Sequence, residues 1–314
     1  MKRRLVYIDY LRCIYIILMV VFHLVYIGDK YPGLKQVVYT FHMPAFLLIS
    51  GYLANVEKRG KDFLRSMAWI LVPYVVMEVG YVIMASVLSI REHVDSLSFP
   101  LLCRMIFWKP IGPYWYLHTL ILCSAVYYLV AKVVSRFGGG AVPLVSFLGL
   151  FFWGLSDGLQ LMNMGNAVYF LAGVLIRRWH FDFLSVFRPS LWAWLPFLLL
   201  CGFTSNLERY SLPGMAITFL SMSAFLGLYG CLSEKVKGMF HFVGRNTLPI
   251  LLFSPIFTIQ AKLLVPLFAF DPTGLCFTVV AVVFVIVGSL FIAWSMDKLC
   301  LSRYFCGGEM LHRG

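Results

Sequence analysis

Three ionisable side chains, Asp9, Arg12 and His23, interrupt an otherwise apolar run at the start of the chain. At bilayer depth such a group costs about 3 kcal/mol on insertion scales, so a segment carrying three of them is built for a task. A helix turns about 100° per residue, which brings Arg12 and His23 onto one face, about 16 Å apart along the axis. Asp9, three residues before Arg12, shares that face and can pair with it. Histidine titrates near neutrality and suits a general base that takes a proton from a hydroxyl. Arginine keeps its proton and offers five donors in a planar fork suited to phosphate or carboxylate. One polar stripe therefore reaches across about half the membrane. Asp9 and Arg12 also fit a buried structural ion pair.

The second apolar segment, Phe41-His42-Met43-Pro44-Ala45-Phe46-Leu47-Leu48-Ile49-Ser50-Gly51-Tyr52, carries the next polar groups. His42 falls at the depth His23 reaches as the first segment leaves the membrane, and the two neighbours should pack side by side. Pro44 loosens the helical ladder, and broken places in membrane helices tend to line cavities. His42 and Ser50 are expected to touch substrate. Glu78 in the third segment could orient a histidine, offset Arg12 or bond within the bundle. Tyr114 and Trp115 could contact substrate at the outer mouth or serve as interfacial belt. Arg65, in the cluster from Lys58, and Arg245 could hold phosphate groups, although topology alone explains them. Asn246-Thr247 reads as a helix start.

The elements that position these groups follow from composition. With 61% hydrophobic and 13% charged residues in 314, the chain is expected to be an all-α integral membrane protein. Apolar runs near 5–27, 37–55, 66–89, 114–134, 141–156, 159–176, 190–206, 211–232, 247–268 and 274–296 give about ten transmembrane helices in one bundle. We expect a single multi-pass domain over 1–314, with the first segment kept as a span rather than cleaved. The longest non-spanning piece, 90–113, reads as an external interfacial lid or re-entrant stretch.

The net charge of +12 does not point to nucleic acid. Most of the 26 basic residues cluster on one side: Lys2-Arg3-Arg4, Lys58 to Arg65, Lys132 and Arg136, Arg177 to Arg188, Lys235 to Arg245, and Lys298, Arg303 and Arg313. The other side keeps only Lys30, Lys35, Arg91, Arg104, Lys109, Arg209 and Lys262. Positive residues favour the cytoplasm, so both termini are expected there, with the protein in the cell (inner) membrane. The eight cysteines are scattered without metal-ligand spacing, so no metal and no bound cofactor are expected.

Asp9, Arg12-x10-His23, the His42 motif and the basic loop leading to Val72-Pro73-Tyr74 together resemble the acyltransferase-3 family. These are bacterial multi-pass enzymes that O-acylate cell-surface glycans, and the chain is similar to their fucose 4-O-acetylase-like members. The likeness extends through Gly112-Pro113-Tyr114-Trp115-Tyr116-Leu117, Tyr169-Phe170-Leu171-Ala172-Gly173 and Phe242-x-Gly244-Arg245-Asn246-Thr247-Leu248. The resemblance implies that Arg12 and His23 are essential for transfer from acyl-CoA. The chain departs from the family near the ninth span, where Ser254 or a neighbour stands in place of a customary histidine. No hydrolase-like domain is expected after residue 300.

Acetyl-CoA or another acyl-CoA is then the donor substrate, and a cell-surface glycan or lipid-linked sugar is the acceptor. His23 acts as base near the outer face, Arg12 binds the donor, and Asp9 completes the catalytic set. Membrane lipid surrounds the bundle, and the sequence does not set the oligomeric state. The rival is a glycolipid transporter or flippase using the same stripe, although no inverted repeat or paired helix break is visible.

Overall fold

The computed structural model describes residues 5–87 and 93–312. Among these, regular structure is entirely helical: α1 Val6–His23, α2 Val25–Lys30, α3 Pro32–Leu53, α4 Gly60–Val87, α5 Phe99–Phe107, α6 Trp115–Arg136, α7 Ala141–Trp153, α8 Met164–Arg178, α9 Phe183–Val186, α10 Trp194–Cys201, α11 Leu212–Tyr229, α12 Glu234–Arg245, α13 Thr247–Gln260, α14 Leu275–Lys298 and α15 Ser302–Phe305. Lys2, Arg3, Arg4, Arg91 and Arg313 of the charge pattern lie outside the described residues, as do the end of the third expected span and the start of the 90–113 piece.

Among the described residues, seven segments are long and apolar enough to cross a membrane: Val6–His23, Gly60–Val87, Gly112–Arg136, Ala141–Gly158, Leu212–Tyr229, Thr247–Phe268 and Leu275–Lys298. The other three expected spans coincide with helices that do not meet that measure. α3 is long but polar in its first half, α8 has only 15 residues, and the apolar stretch Leu191–Cys201 is shorter still. The first span is also shorter than 5–27. It ends at His23 because Leu24 turns to extended backbone, with ψ 106°, before α2 begins.

The chain divides into two compact units. One contains the chain up to Phe46, Asp182–Tyr304 and the stretch from Gly308. At its centre α1 packs against α11, α12, α13 and α14. A Cβ on Gly244 would fall 1.7 Å from the Asp9 carbonyl oxygen, so α12 rests directly on the backbone of α1. Several buried polar groups here find internal partners. Tyr15 donates to Ser221 Oγ at 3.1 Å, and Ser221 donates to the Thr218 carbonyl at 2.8 Å. Asn246, fully buried at the start of α13, donates to the carbonyls of Phe242 (2.8 Å) and His312 (3.3 Å) and accepts from the His312 amide (2.9 Å). Asp297 accepts from the amides of Met310 (2.8 Å) and Leu311 (3.0 Å). The last described residues are thereby tied to this unit.

The other unit runs from Leu47 to Phe181, with Phe305–Gly307 added. Within it α3 and α8 cross backbone to backbone. A Cβ on Gly51 would lie 2.0 Å from the Phe170 carbonyl oxygen, and one on Gly173 would lie 1.9 Å from that of Leu48. Apolar side chains gain little by leaving lipid for one another, so membrane helices associate through close packing of small residues. These two glycines provide it.

Residues 106–111 close α5 and lead without helix toward α6, and three buried side chains are spent on their backbone. Tyr74 donates to the Ile106 carbonyl at 2.5 Å, His118 Nε2 donates to the Phe107 carbonyl at 3.0 Å, and Glu78 Oε1 accepts from the Ile111 amide at 2.7 Å. Tyr74 stands about 21 Å along α4 at helical rise. Irregular backbone survives at membrane depth only where protein satisfies it. The described part of the 90–113 piece thus has backbone groups held by side chains of α4 and α6.

Two substitutions test these contacts. Gly173→Leu should cost about 3 kcal/mol through overpacking at the crossing. Thermal unfolding in detergent should show it clearly beside Gly80→Ala, where nothing lies within 4 Å of the added carbon. Glu78→Leu should cost about 2 kcal/mol by stranding the Ile111 amide, whereas Glu78→Gln keeps an acceptor and most of the stability.

Candidate functional site

The end of α1 sets the geometry. His23 is its last residue, half-buried, and its Nδ1–H donates to the Met19 carbonyl one turn back at 2.7 Å. In the neutral ring this leaves the lone pair on Nε2, the arrangement a general base needs. His42 on α3 repeats the device, donating from Nδ1 to the Val38 carbonyl at 2.7 Å. It is only 2% exposed, and among the described residues no protein group bonds its Nε2.

Tyr39 joins the two histidines. Its ring centroid lies 5.9 Å from that of His23 and 5.2 Å from that of His42, and its hydroxyl donates to the Phe22 carbonyl at 3.3 Å. Tyr39 and His42 are three residues apart and share a helix face. Lys35, one turn before Tyr39, holds its ammonium 5.6 Å from the Tyr39 centroid. Arg209 lies within electrostatic range of His42, because the loop carrying it is anchored where Thr40 Oγ1 donates to the Leu207 carbonyl at 2.8 Å. His42 thus sits among half-buried His23, Tyr39, Lys35 and Arg209. All belong to the unit built around α1.

At the opposite end of α1, Arg245 Nε lies 3.4 Å from Asp9 Oδ2 in a largely buried pair. Arg12 is half-buried three residues further along the helix. Aromatic rings crowd this end, with Tyr7 and Tyr10 each 5.0 Å from Tyr229. Tyr229 in turn contacts His241 Nε2 through its hydroxyl at 3.1 Å. On α12, outside the spans, burial holds the His241 imidazole below its ordinary pKa, with Asp9 opposing and Arg245 reinforcing the shift.

Within the unit built around α1 the structure brings His23 and His42 together, and each of the other expected site residues has surroundings of its own. In the unit that begins at Leu47, Ser50 Oγ lies 2.8 Å from the Tyr116 hydroxyl, and Glu78 holds the Ile111 amide. Tyr114 is 1% exposed and packs edge-on against Tyr81, Trp115 beside it is half-buried, and Arg65 is exposed on α4. The Asn246 amide is engaged by backbone on both its nitrogen and its oxygen. Thr247 begins α13 as the sequence indicates, although no side chain of Asn246 caps it. Ser254 is buried in α13. Among the described residues, no group of three or more His, Cys, Asp or Glu side chains is placed to hold a metal ion.

Sequence reading missed Tyr39, Lys35 and Arg209. The spacing of Lys35, Tyr39 and His42 was available as a helix-face signal, whereas nothing local connects Arg209 to a histidine so far away in the chain.

A bundle of apolar helices with paired, tautomer-fixed imidazoles at the end of its central helix is suited to transfer chemistry within a membrane. Residues 5–294 match the family model described as an acyltransferase domain, and the chain belongs to this acyltransferase-3 family. It is a multi-pass membrane acyltransferase. Comparison with curated proteins and with solved structures gives no match.

Removal of the Arg245 cation should expose the cost of a buried Asp9 carboxylate. Arg245→Met is expected to lower stability by about 3 kcal/mol, and Asp9→Asn in the same chain should recover part of it. Thermal unfolding of the two single variants and the double variant measures the coupling.

Proposed function

We propose that the protein is an O-acyltransferase of the cell (inner) membrane that moves an acetyl or other short acyl group from cytoplasmic acyl-CoA to a hydroxyl of a cell-surface or lipid-linked glycan. His23 Nε2 accepts the proton of the attacking hydroxyl as its oxygen bonds to the thioester carbonyl carbon. The tetrahedral intermediate collapses, the carbon–sulfur bond breaks, and the proton passes from His23 to the departing thiolate. The products are an ester and free CoA. The observation that carries this reading is the 2.7 Å bond from His23 Nδ1 to the Met19 carbonyl, which leaves Nε2 as the basic atom at a half-buried helix end.

Arg12 binds the anionic donor, and Asp9, held by Arg245, shapes its surroundings. Arg65 in the basic loop takes CoA phosphate groups, consistent with cytoplasmic termini under the positive-inside rule. Ser50 and Trp115 contact the substrates. Glu78, Asn246 and Tyr114 act as supports, since hydrogen bonds or burial already engage them.

Inside-out vesicles supplied with acetyl-CoA labelled in the acetyl group test the reading. Intact protein should place alkali-labile label in the glycan fraction, and His23→Ala at matched expression should lower the rate about a hundredfold or more. Equal labelling by both membranes would remove His23 from catalysis. Movement of a lipid-linked glycan between leaflets, with no label transferred from acetyl-CoA or longer donors, would replace the transferase with a transporter.

A further inference from the structure

The environment of His42 goes beyond the assignment of a base. Its Nδ1–H is committed to the Val38 carbonyl, so Nε2 of the neutral ring can only accept a hydrogen bond. That atom is buried, and among the described residues no protein group donates to it. Most buried polar side-chain atoms are paired, and an acceptor left bare in a protein interior is destabilising. It makes sense where a ligand completes the bond.

The neighbours indicate which ligand. Tyr39 stands between the His42 and His23 rings, and Lys35 and Arg209 are close by with positive charge. A cation cannot comfortably donate to Nε2 here, because two positive side chains already occupy its surroundings. A neutral O–H group can. The acceptor sugar of the reaction proposed above carries several hydroxyls, and only one of them is acylated.

We infer that His42 is a specificity-determining residue whose Nε2 accepts a hydrogen bond from a second hydroxyl of the acceptor sugar, while His23 takes the proton of the hydroxyl being acylated. The inference rests on the transferase reading and adds a substrate requirement to it: the acceptor must present a hydrogen-bond donor besides its reacting group. A site built to pair a hydroxyl rejects an analogue lacking it, because the buried partner is then left unbonded. Tyr39 fixes the spacing of the two imidazoles by packing against both.

Host membranes themselves supply the acceptor glycan for the test, so the sugar need not be isolated. Inside-out vesicles containing wild-type protein, His42→Phe or His42→Gln are fused with increasing amounts of acceptor-free lipid vesicles, and labelled acetyl-CoA is supplied outside. Glutamine places a carbonyl oxygen near the position of Nε2 and can still accept, whereas phenylalanine fills the space and cannot. His42→Phe should lose about tenfold or more in its dependence on acceptor density, with saturation by acetyl-CoA unchanged. His42→Gln should stay within about threefold of wild type.

Thermal unfolding of each variant in detergent accompanies the assay. If His42→Phe keeps the wild-type dependence on acceptor, or if Phe and Gln lose activity alike in step with lowered unfolding temperature, His42 is only a packing residue and the inference is overturned. A shift confined to acetyl-CoA saturation would overturn it too, by moving His42 to the donor. Undiminished transfer by His23→Ala membranes would instead sink the transferase mechanism on which it rests.

Discussion

Lipid offers no hydrogen bonds, so every backbone amide and carbonyl at membrane depth must be satisfied by the protein. Helices meet most of this demand by themselves, and the chain accordingly shows no strand among its described residues. The end of α5 and the irregular stretch 108–111 after it are the costly place, and Tyr74, Glu78 and His118 each engage its backbone. Charged or polar side chains inside a span usually suggest function. Here three of them hold the backbone of a loop between helices, which is a different use of the same expensive chemistry.

The same demand shapes the candidate site. At His23 and His42 the ring nitrogen nearest the backbone donates to a carbonyl one turn earlier on its own helix. That bond fixes the side-chain direction and the tautomer together, so the outer nitrogen carries the lone pair. Tyr39 packs against both rings, and α1 brings His23 to the site from a helix braced at its other end by Asp9 and Arg245. Positioning of this kind supplies the orientation that proton transfer needs.

Close helix packing is the second element of the design. Gly51 and Gly173 lie in two separate motifs of the sequence, yet they meet across one crossing, and Gly244 of a third motif lets α12 rest on the Asp9 backbone. Replacing either contact by a side chain would separate the helices that carry the polar groups. Arg245 follows Gly244 directly, so the close approach at Gly244 also delivers the cation to Asp9.

The sequence by itself determined the helical membrane class, the family and the pairing of Arg12 with His23 on one helix, because hydropathy, charge bias and residue spacing are local properties. It also indicated that His23 and His42 belong to neighbouring segments, and it marked the stretch before Tyr114 as interfacial or re-entrant. It could not reveal that Arg245, 236 residues away, is a partner of Asp9, or that Glu78 is occupied by a backbone amide. The burial of Tyr114 against Tyr81 was likewise beyond its reach. Only the tertiary structure decided these matters, because the partner of a buried polar group is set by which distant helices pack together, and helix packing depends on shape that no local pattern records.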